Sequence, residues 1–346
     1  MKKKLIVLTI SLLTLVSVIC LGCVSRHDLK DGTKEPLSVP TPAETSEEEQ
    51  TADPGNIAGT SDDGGEPSTV NTEPDDGTSD VNTDSVSGPF TLDFVDVFGE
   101  HYETLIDPEL PMHAYDKGSF VTKDGTVTYE DESFFSVPGV DVSRYQGDVD
   151  FVKLKENGFE FVFIRLGYRG YGKAGSIRLD SRFDENMKKA IDAGLDVGVY
   201  FFSQAVNEDE AREEADFVFA NLKRIREEFS DEYYPSLGIV FDPESILDDV
   251  ARTDDVTAEQ FTLNTITFLD AVRAEGYEPI LYCNMLWEAF NLEMKKIYEN
   301  GYQVWYADYE PFPQTPYDFT FWQYTNEGRI DGIDGSADID IRFIPK

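Results

Sequence analysis

The chain has 346 residues, a formal net charge of −39 and three Cys. That length suits one large domain with appendages. The charge excludes nucleic acid and an anionic membrane surface as electrostatic partners, and three Cys leave no disulfide framework. No Cys pair or His cluster suggests zinc, and neither a metal nor an organic cofactor is expected. His27, His101 and His113 all precede the last domain, so no histidine chemistry is expected there.

In chain order, Met1–Lys2–Lys3–Lys4 stand before an apolar run over 5–22, the pattern of an export signal. The run is nearly long enough to span a bilayer, so an uncleaved anchor is the alternative. It ends in Leu21–Gly22–Cys23. A small residue before a Cys at this place resembles the bacterial lipobox. That resemblance implies cleavage before Cys23 and lipid attachment to its sulfur and new amino group. Residues 1–22 are then a lipoprotein signal peptide. The mature chain would sit on the outer face of a bacterial cytoplasmic membrane, held there by the lipid.

Residues 24–88 hold 16 Asp or Glu against three Lys or Arg, with much Ser, Thr, Pro and Gly. Such a stretch cannot bury a core, and its like charges keep it extended. Residues 23–88 are expected to be an acidic disordered tether reaching into the cell wall. Over 89–136 the apolar fraction returns. Residues 90–98 alternate in strand fashion, and 119–122 and 126–129 flank Asp124–Gly125 as a hairpin. This is expected to be a small β-rich module or an extension packed on the next domain, without chemistry of its own.

From 137 onward strands alternate with helices. Strands are expected at 140–143, 161–166, 197–203, 238–244 and 279–283. Helices are expected at 151–157, 184–193, 208–225, 257–274 and 287–298. Three more strands follow at 303–309, 319–324 and 337–341. The run at 161–166 is continuously apolar, as when both faces of a strand are covered. Cys283 is alone in such a run and reads as a small core residue. Five βα units and three strands predict an α/β fold, a TIM-like barrel over 137–346 closed by right-handed crossovers. In such barrels chemistry collects at the C-terminal strand ends.

The fourth barrel strand, Gly238–Ile239–Val240–Phe241–Asp242–Pro243–Glu244, is an apolar run ending in two carboxylates. Residues two apart on a strand share a face, which puts the two acids roughly 6–7 Å apart. Repulsion raises at least one pKa, as a general acid at neutral pH requires. A strand end with two solvated acids is the plainer reading of this stretch alone. Asp141 lies in the first strand and Asp338 in the last, and in a closed barrel those strands are neighbours. Tyr200, Tyr282, Trp305, Tyr309 and Trp322 lie at other strand ends. Each alone reads more readily as core than as ligand. Together, acids and aromatics at one mouth describe a carbohydrate site, because sugar faces stack on rings and carboxylates cleave glycosidic bonds.

The ordered set of matches is specific. Gly139–Val140–Asp141–Val142–Ser143–Arg144–Tyr145–Gln146–Gly147 resembles the opening signature of glycoside hydrolase family 25, the N-acetylmuramidase type of lysozyme. Ile164–Arg165, Asp184 with Asn186, Tyr200–Phe201–Phe202–Ser203, Asp242–Pro243–Glu244 and Tyr282 follow. Then come Trp305–Tyr306–Ala307, Trp322–Gln323–Tyr324–Thr325, and the Gly332-to-Asp340 run. The resemblance covers residues 137–346. It implies a flattened barrel and hydrolysis of the β-1,4 bond from N-acetylmuramic acid to N-acetylglucosamine in peptidoglycan. Glu244 matches the general acid, Asp242 the carboxylate beside it, Asp141 the first-strand acid and Asp338 the last-strand acid. Asp338 is preferred over Asp340 because it follows the Gly-rich turn at the family's spacing. Gln323 joins the five aromatics as a substrate-binding residue, and the protein is expected to act as a monomer.

Hydrolysis by paired carboxylates can invert, retain, or use the substrate's own 2-acetamido oxygen. Asp242 beside Glu244 suits the third route, with Asp141 and Asp338 keeping Glu244 protonated and stabilising the oxocarbenium charge. Two other functions stay open. One is a non-catalytic wall-binding lipoprotein on the same barrel; the other is a glycosidase acting on a different polymer such as chitin.

Overall fold

Along most of the apolar strands the side chains divide cleanly between two environments, and that division builds the barrel. The structure, a computed structural model, describes residues 90–97, 99–246 and 249–346. The expected signal peptide, Cys23 and the tether lie outside the described residues.

The chain enters through two hairpins. β1 (Phe90–Val95) pairs antiparallel with β2 (His101–Ile106), and β3 (Phe120–Lys123) with β4 (Thr126–Tyr129). Asp124 and Gly125 join β3 to β4, both at positive φ (52° and 79°), as a two-residue hairpin turn requires. The barrel follows: β5 (Phe134–Val142), α1 (Phe151–Glu156), β6 (Phe161–Arg169), β7 (Ile177–Leu179), α2 (Phe183–Asp192) and β8 (Asp196–Ser203). It continues with α3 (Glu208–Glu228), β9 (Gly238–Pro243), α4 (Ala258–Ala274), β10 (Pro279–Asn284) and α5 (Met294–Glu299). It ends with β11 (Gln303–Ala307), β12 (Phe321–Gly328) and β13 (Ala337–Pro345).

The sheet order is β5-β13-β12-β11-β10-β9-β8-β6-β7, and β5 also pairs with β6, so eight strands close into a barrel with β7 as an antiparallel flap on β6. Seven barrel strands are mutually parallel. β13 runs against both its neighbours, β12 and β5. Five βα units followed by three strands is the expected order.

Inside the barrel lie Phe161, Phe163, Val240, Ile280, Trp305 and Phe321, all buried. Outward-facing partners such as Val162, Ile164, Ile239, Phe241 and Leu281 pack into the layer beneath the helices. The interior is narrow. A Cβ on Gly139 would stand 2.3 Å from the Phe161 ring, and one on Gly198 would stand 2.3 Å from the Phe163 ring. Glycine at these two positions lets large rings fill the space between opposite walls.

The helices start where side chains satisfy their first N–H groups. Asn207 caps α3 by accepting from Glu210 N at 3.0 Å, and Thr257 caps α4 by accepting from Gln260 N at 3.2 Å. The single helix expected over 287–298 is broken. A π-type turn spans Trp287–Asn291, Leu292 is extended (φ −131°, ψ 148°), and α5 starts afresh at Met294. Side chains from neighbouring elements accept backbone N–H groups where each piece starts: Asn284 from Trp287 at 3.1 Å, and Thr262 from Glu293 at 2.9 Å.

The segment before the barrel packs on it as an extension. Tyr115 stacks on Phe343 at 3.8 Å, and its hydroxyl donates to Phe319 O at 2.7 Å. Phe94, Ile106, Val127 and Tyr129 belong to the same hydrophobic core as the barrel's outer layer.

Candidate active site

At the C-terminal end of the parallel strands the interior layer turns from apolar to polar. Asp141 on β5, Arg165 on β6, Tyr200 on β8, Asp242 on β9, Tyr282 on β10, Trp305 on β11 and Gln323 on β12 meet there with Glu244, one residue past β9. Because β13 is antiparallel, its first residues lie at this same mouth, and Asp338 stands opposite Asp141 in the β13–β5 register. Together they line a groove of about 340 Å³.

Gln323 organises the floor. Its Nε2 donates to Asp141 Oδ2 at 2.6 Å, and its Oε1 accepts from the Tyr282 and Tyr309 hydroxyls at 3.0 and 2.9 Å. Gln146 Nε2 lies 3.5 Å from Asp338 Oδ2, and Gln146 is itself held by a reciprocal cap with Ser143. Asp340, two residues further along β13, is deeper and fully buried. It accepts from Trp305 Nε1 at 2.9 Å. Arg165 is the one Lys or Arg in the groove lining. Its guanidinium pairs with buried Asp180 at 2.8 Å and lies 5.1 and 5.4 Å from the Tyr145 and Tyr168 ring centres.

Five acids share this site with one guanidinium, and their pKa values respond. Burial pushes Glu244 up to about 7, although Tyr282 and Arg165 pull it down. Burial also pushes Asp141 up to about 7; the Gln323 hydrogen bond opposes this and the Glu244 charge adds to it. Asp242 is raised well above the carboxylate range by burial, then by Glu244 and Asp141. Asp338 is raised by burial, then by Asp141 and Glu244. Glu244 is half-buried at the rim, whereas Asp242 is only 5 % exposed. Asp242 Oδ1 is buried with no hydrogen-bond donor among the described residues.

The backbone of Glu244 is fixed from behind. Gln204, fully enclosed, donates through Nε2 to Glu244 O at 2.7 Å, and its Oε1 accepts from Thr253 Oγ1 at 2.8 Å. A Glu244 carboxyl that holds its proton on an anchored backbone, next to an Asp242 oxygen that lacks a donor, is equipped for acid catalysis on a substrate that brings its own N–H.

Of the residues singled out from sequence, Asp141, Asp242, Glu244, Asp338, Tyr200, Tyr282, Trp305, Tyr309 and Gln323 line the groove. Trp322 does not. It neighbours Gln323 on β12, so the strand's period of two turns it outward. There it is fully buried, meets Phe120 edge-on and donates from Nε1 to Asp308 O at 2.8 Å. Several groove residues had no role assigned from sequence. Asn284 lies two residues beyond Tyr282 on the same strand face, a spacing that could have found it. Tyr145, Gln146 and Arg165 stand within the matched motifs, which by themselves give them no role. Val97 and Phe290 carry no local signal, because tertiary packing alone brings them here, and the same holds for Gln204 behind the groove.

The family model for glycosyl hydrolases family 25 matches residues 140–333. The autolytic lysozyme of Clostridium acetobutylicum is 26% identical over 205 residues, 58% of this chain and 54% of that protein. Lysozyme M1 of Streptomyces globisporus is 23% identical over 215 residues, 58% of this chain and 66% of that protein. The chain thus spans about half the length of the first of these relatives. Among solved structures, the modular autolysin LytC of Streptococcus pneumoniae, in complex with a synthetic peptidoglycan ligand, shares the fold. It has a TM-score of 0.51 and 20% identity, with 72% of this chain and 56% of that chain covered.

Proposed function

Because the chain belongs to glycosyl hydrolases family 25, we propose that it hydrolyses the β-1,4 bond between N-acetylmuramic acid and N-acetylglucosamine in peptidoglycan. The observation that carries this reading is the pairing of Glu244, whose pKa burial raises to about 7, with Asp242, whose buried Oδ1 lacks a donor. Glu244 in its acid form protonates the leaving glycosidic oxygen. Asp242 Oδ1 accepts the N–H of the muramic acetamido group, and the acetamido oxygen attacks C1 as the C1–O bond breaks. Water then attacks C1 as the bond from C1 to the acetamido oxygen breaks, and it gives a proton to the Glu244 carboxylate, so the acetamide and the acid are restored and the anomeric configuration is retained. Asp141 and Asp338 stabilise the positive charge that develops on the ring. Tyr200, Tyr282, Trp305 and Tyr309 supply the surfaces against which the sugars lie.

Digestion of purified peptidoglycan, with new reducing ends read by mass spectrometry, tests the reading. Muramic reducing ends are expected from the wild type and none from Glu244→Gln, with circular dichroism unchanged. Wild-type-like release by Glu244→Gln would remove Glu244 from its role. Binding of peptidoglycan without release by the wild type would favour a wall-binding protein instead, and release only from chitin would favour a different polymer. Cys23 carries the anchor in this reading. Incorporation of labelled fatty acid is expected in the full chain and not in Cys23→Ala.

A further inference from the structure

The residues matched by the family model begin at 140, yet Val97, well before them, lines the groove. The Gln314 side chain helps to fasten the β1–β2 hairpin to the barrel rim, acting as a short strand. Gln314 Oε1 accepts from Val95 N and its Nε2 donates to Val95 O, both at 2.8 Å. Asp308 holds Gln314 in turn, accepting from its N at 2.8 Å. Phe94 and Tyr102 also pack against Phe290, with ring centres 6.3 and 6.1 Å apart. So fastened, the hairpin puts Val97 into the groove lining. It also encloses a second cavity of about 180 Å³ between residues 95–97 and the ends of β10 and β11. The two cavities share Val97, Asn284, Leu286, Ala307 and Tyr309, so the second adjoins the first in the manner of a branch.

The branch has a mixed character. Val95, Val97, Met285 and Leu286 give it apolar walls. Its lining includes Asp96, Asp308 and Glu310 and no Lys or Arg. Asp96 and Asp308 are occupied within the protein, accepting from Tyr102 OH and from Tyr306 OH. The Glu310 carboxylate is exposed and has no cationic partner among the described residues. A ligand reaching in from the groove would meet apolar walls and the exposed Glu310 carboxylate, which suits a slender aliphatic chain ending in a positive charge.

Resting on the peptidoglycan reading of the groove, we propose that this branch receives an aliphatic amine on the peptide stem of the strand being cut. The stem leaves the muramic sugar held over Asp242, passes Tyr309, and lays its methylenes along Val97 and Leu286 with the ammonium at Glu310.

Binding can be measured apart from turnover, by calorimetry on the full-length Glu244→Gln protein. The ligands are soluble tetrasaccharides of one length: without stems, with stems bearing a free side-chain amine, and with that amine acetylated. The free amine is expected to bind about fivefold more tightly than its acetylated form, the scale of one solvent-accessible ion pair. Glu310→Gln should bring that ratio to about one. Val97→Trp, which fills the branch, should weaken both stem-bearing ligands more than the stem-free one. Equal affinity for the free and acetylated amines would overturn the proposal. So would a matching preference for a stem-free glycan carrying one de-N-acetylated glucosamine, which would assign the amine to the sugar. Amine preference without peptidoglycan cleavage by the wild type would keep the branch and remove the hydrolase reading. Cleavage without amine preference would do the reverse.

Discussion

Asp242 and Glu244 are two residues apart, but they are held by different means. Asp242 belongs to the ladder of β9, opposite Phe202 of β8, and inherits its direction from the strand. Glu244 lies past the ladder, where nothing in the strand fixes it. Gln204 does so by joining the Glu244 carbonyl to the Thr253 hydroxyl. Replacing Gln204 with Leu leaves a buried carbonyl and a buried hydroxyl unpaired, at a cost of about 1–3 kcal/mol. Most of that cost is expected to fall on the position of the acid, lowering kcat about tenfold with KM little changed. Thr253→Val breaks the same relay, so the double variant should be no slower than Gln204→Leu alone; additive losses would separate the two residues. Protonation follows from burial in the same way. Glu244 must carry its proton to act, and with a pKa of about 7 it loses that proton as pH rises through neutrality. The kcat/KM profile is therefore expected to fall on the alkaline side near pH 7. A rate still climbing beyond that point would exclude Glu244 as the acid.

The direction of β13 is the decisive feature at the scale of elements. Residue 338 is second in its strand, so in a parallel strand it would lie at the bottom of the barrel, away from Asp242. Running antiparallel, β13 brings it to the mouth beside Asp141. The flattened interior sets a further constraint. Phe163 stacks on Trp305 at 4.4 Å across the barrel, and its ring would stand 2.3 Å from a Cβ at position 198. Gly198→Ala should cost about 1–3 kcal/mol by overpacking. Pairing it with Phe163→Leu should recover part of the loss, as read from denaturant midpoints. If the single variant were as stable as the wild type, the contact would not be tight.

For the molecule as a whole, the buried acids tie stability to pH. Asp141, Glu214 and Glu244 are raised to about 7 and Glu288 to about 8, in each case chiefly by burial. In the unfolded chain they titrate near 4. Between about pH 4 and 8 the folded state thus binds more protons than the unfolded one, and stability must fall as pH rises across that window. The net charge of −39 acts in the same direction through self-repulsion. Thermal midpoints are expected to decline steadily from about pH 5 to pH 8. A midpoint that rose across that range would mean these acids are ionised and well solvated in the fold.

Much of the fold was legible because local rules govern it. The period of two in the strands and the Asp124–Gly125 turn act over a few residues and survive in any context. The strand-end acids were legible for the same reason, since each sits at the end of a run whose type and length the residues themselves specify. Other features depended on distant partners. The direction of β13 follows from which strands it pairs with, and the hydrogen bonds on either side of the break before α5 come from side chains of β10 and α4. The outward turn of Trp322 follows from which face of β12 the core claims. The hairpin that brings Val97 to the groove is held by Gln314, 219 positions away from Val95, and by Phe290. Local order is set by near neighbours along the chain, so the amino-acid sequence by itself determined the elements and the residues able to do chemistry. Which of those residues share a groove, and what closes its side, depends on contacts between segments remote in sequence, and only the tertiary structure decided it.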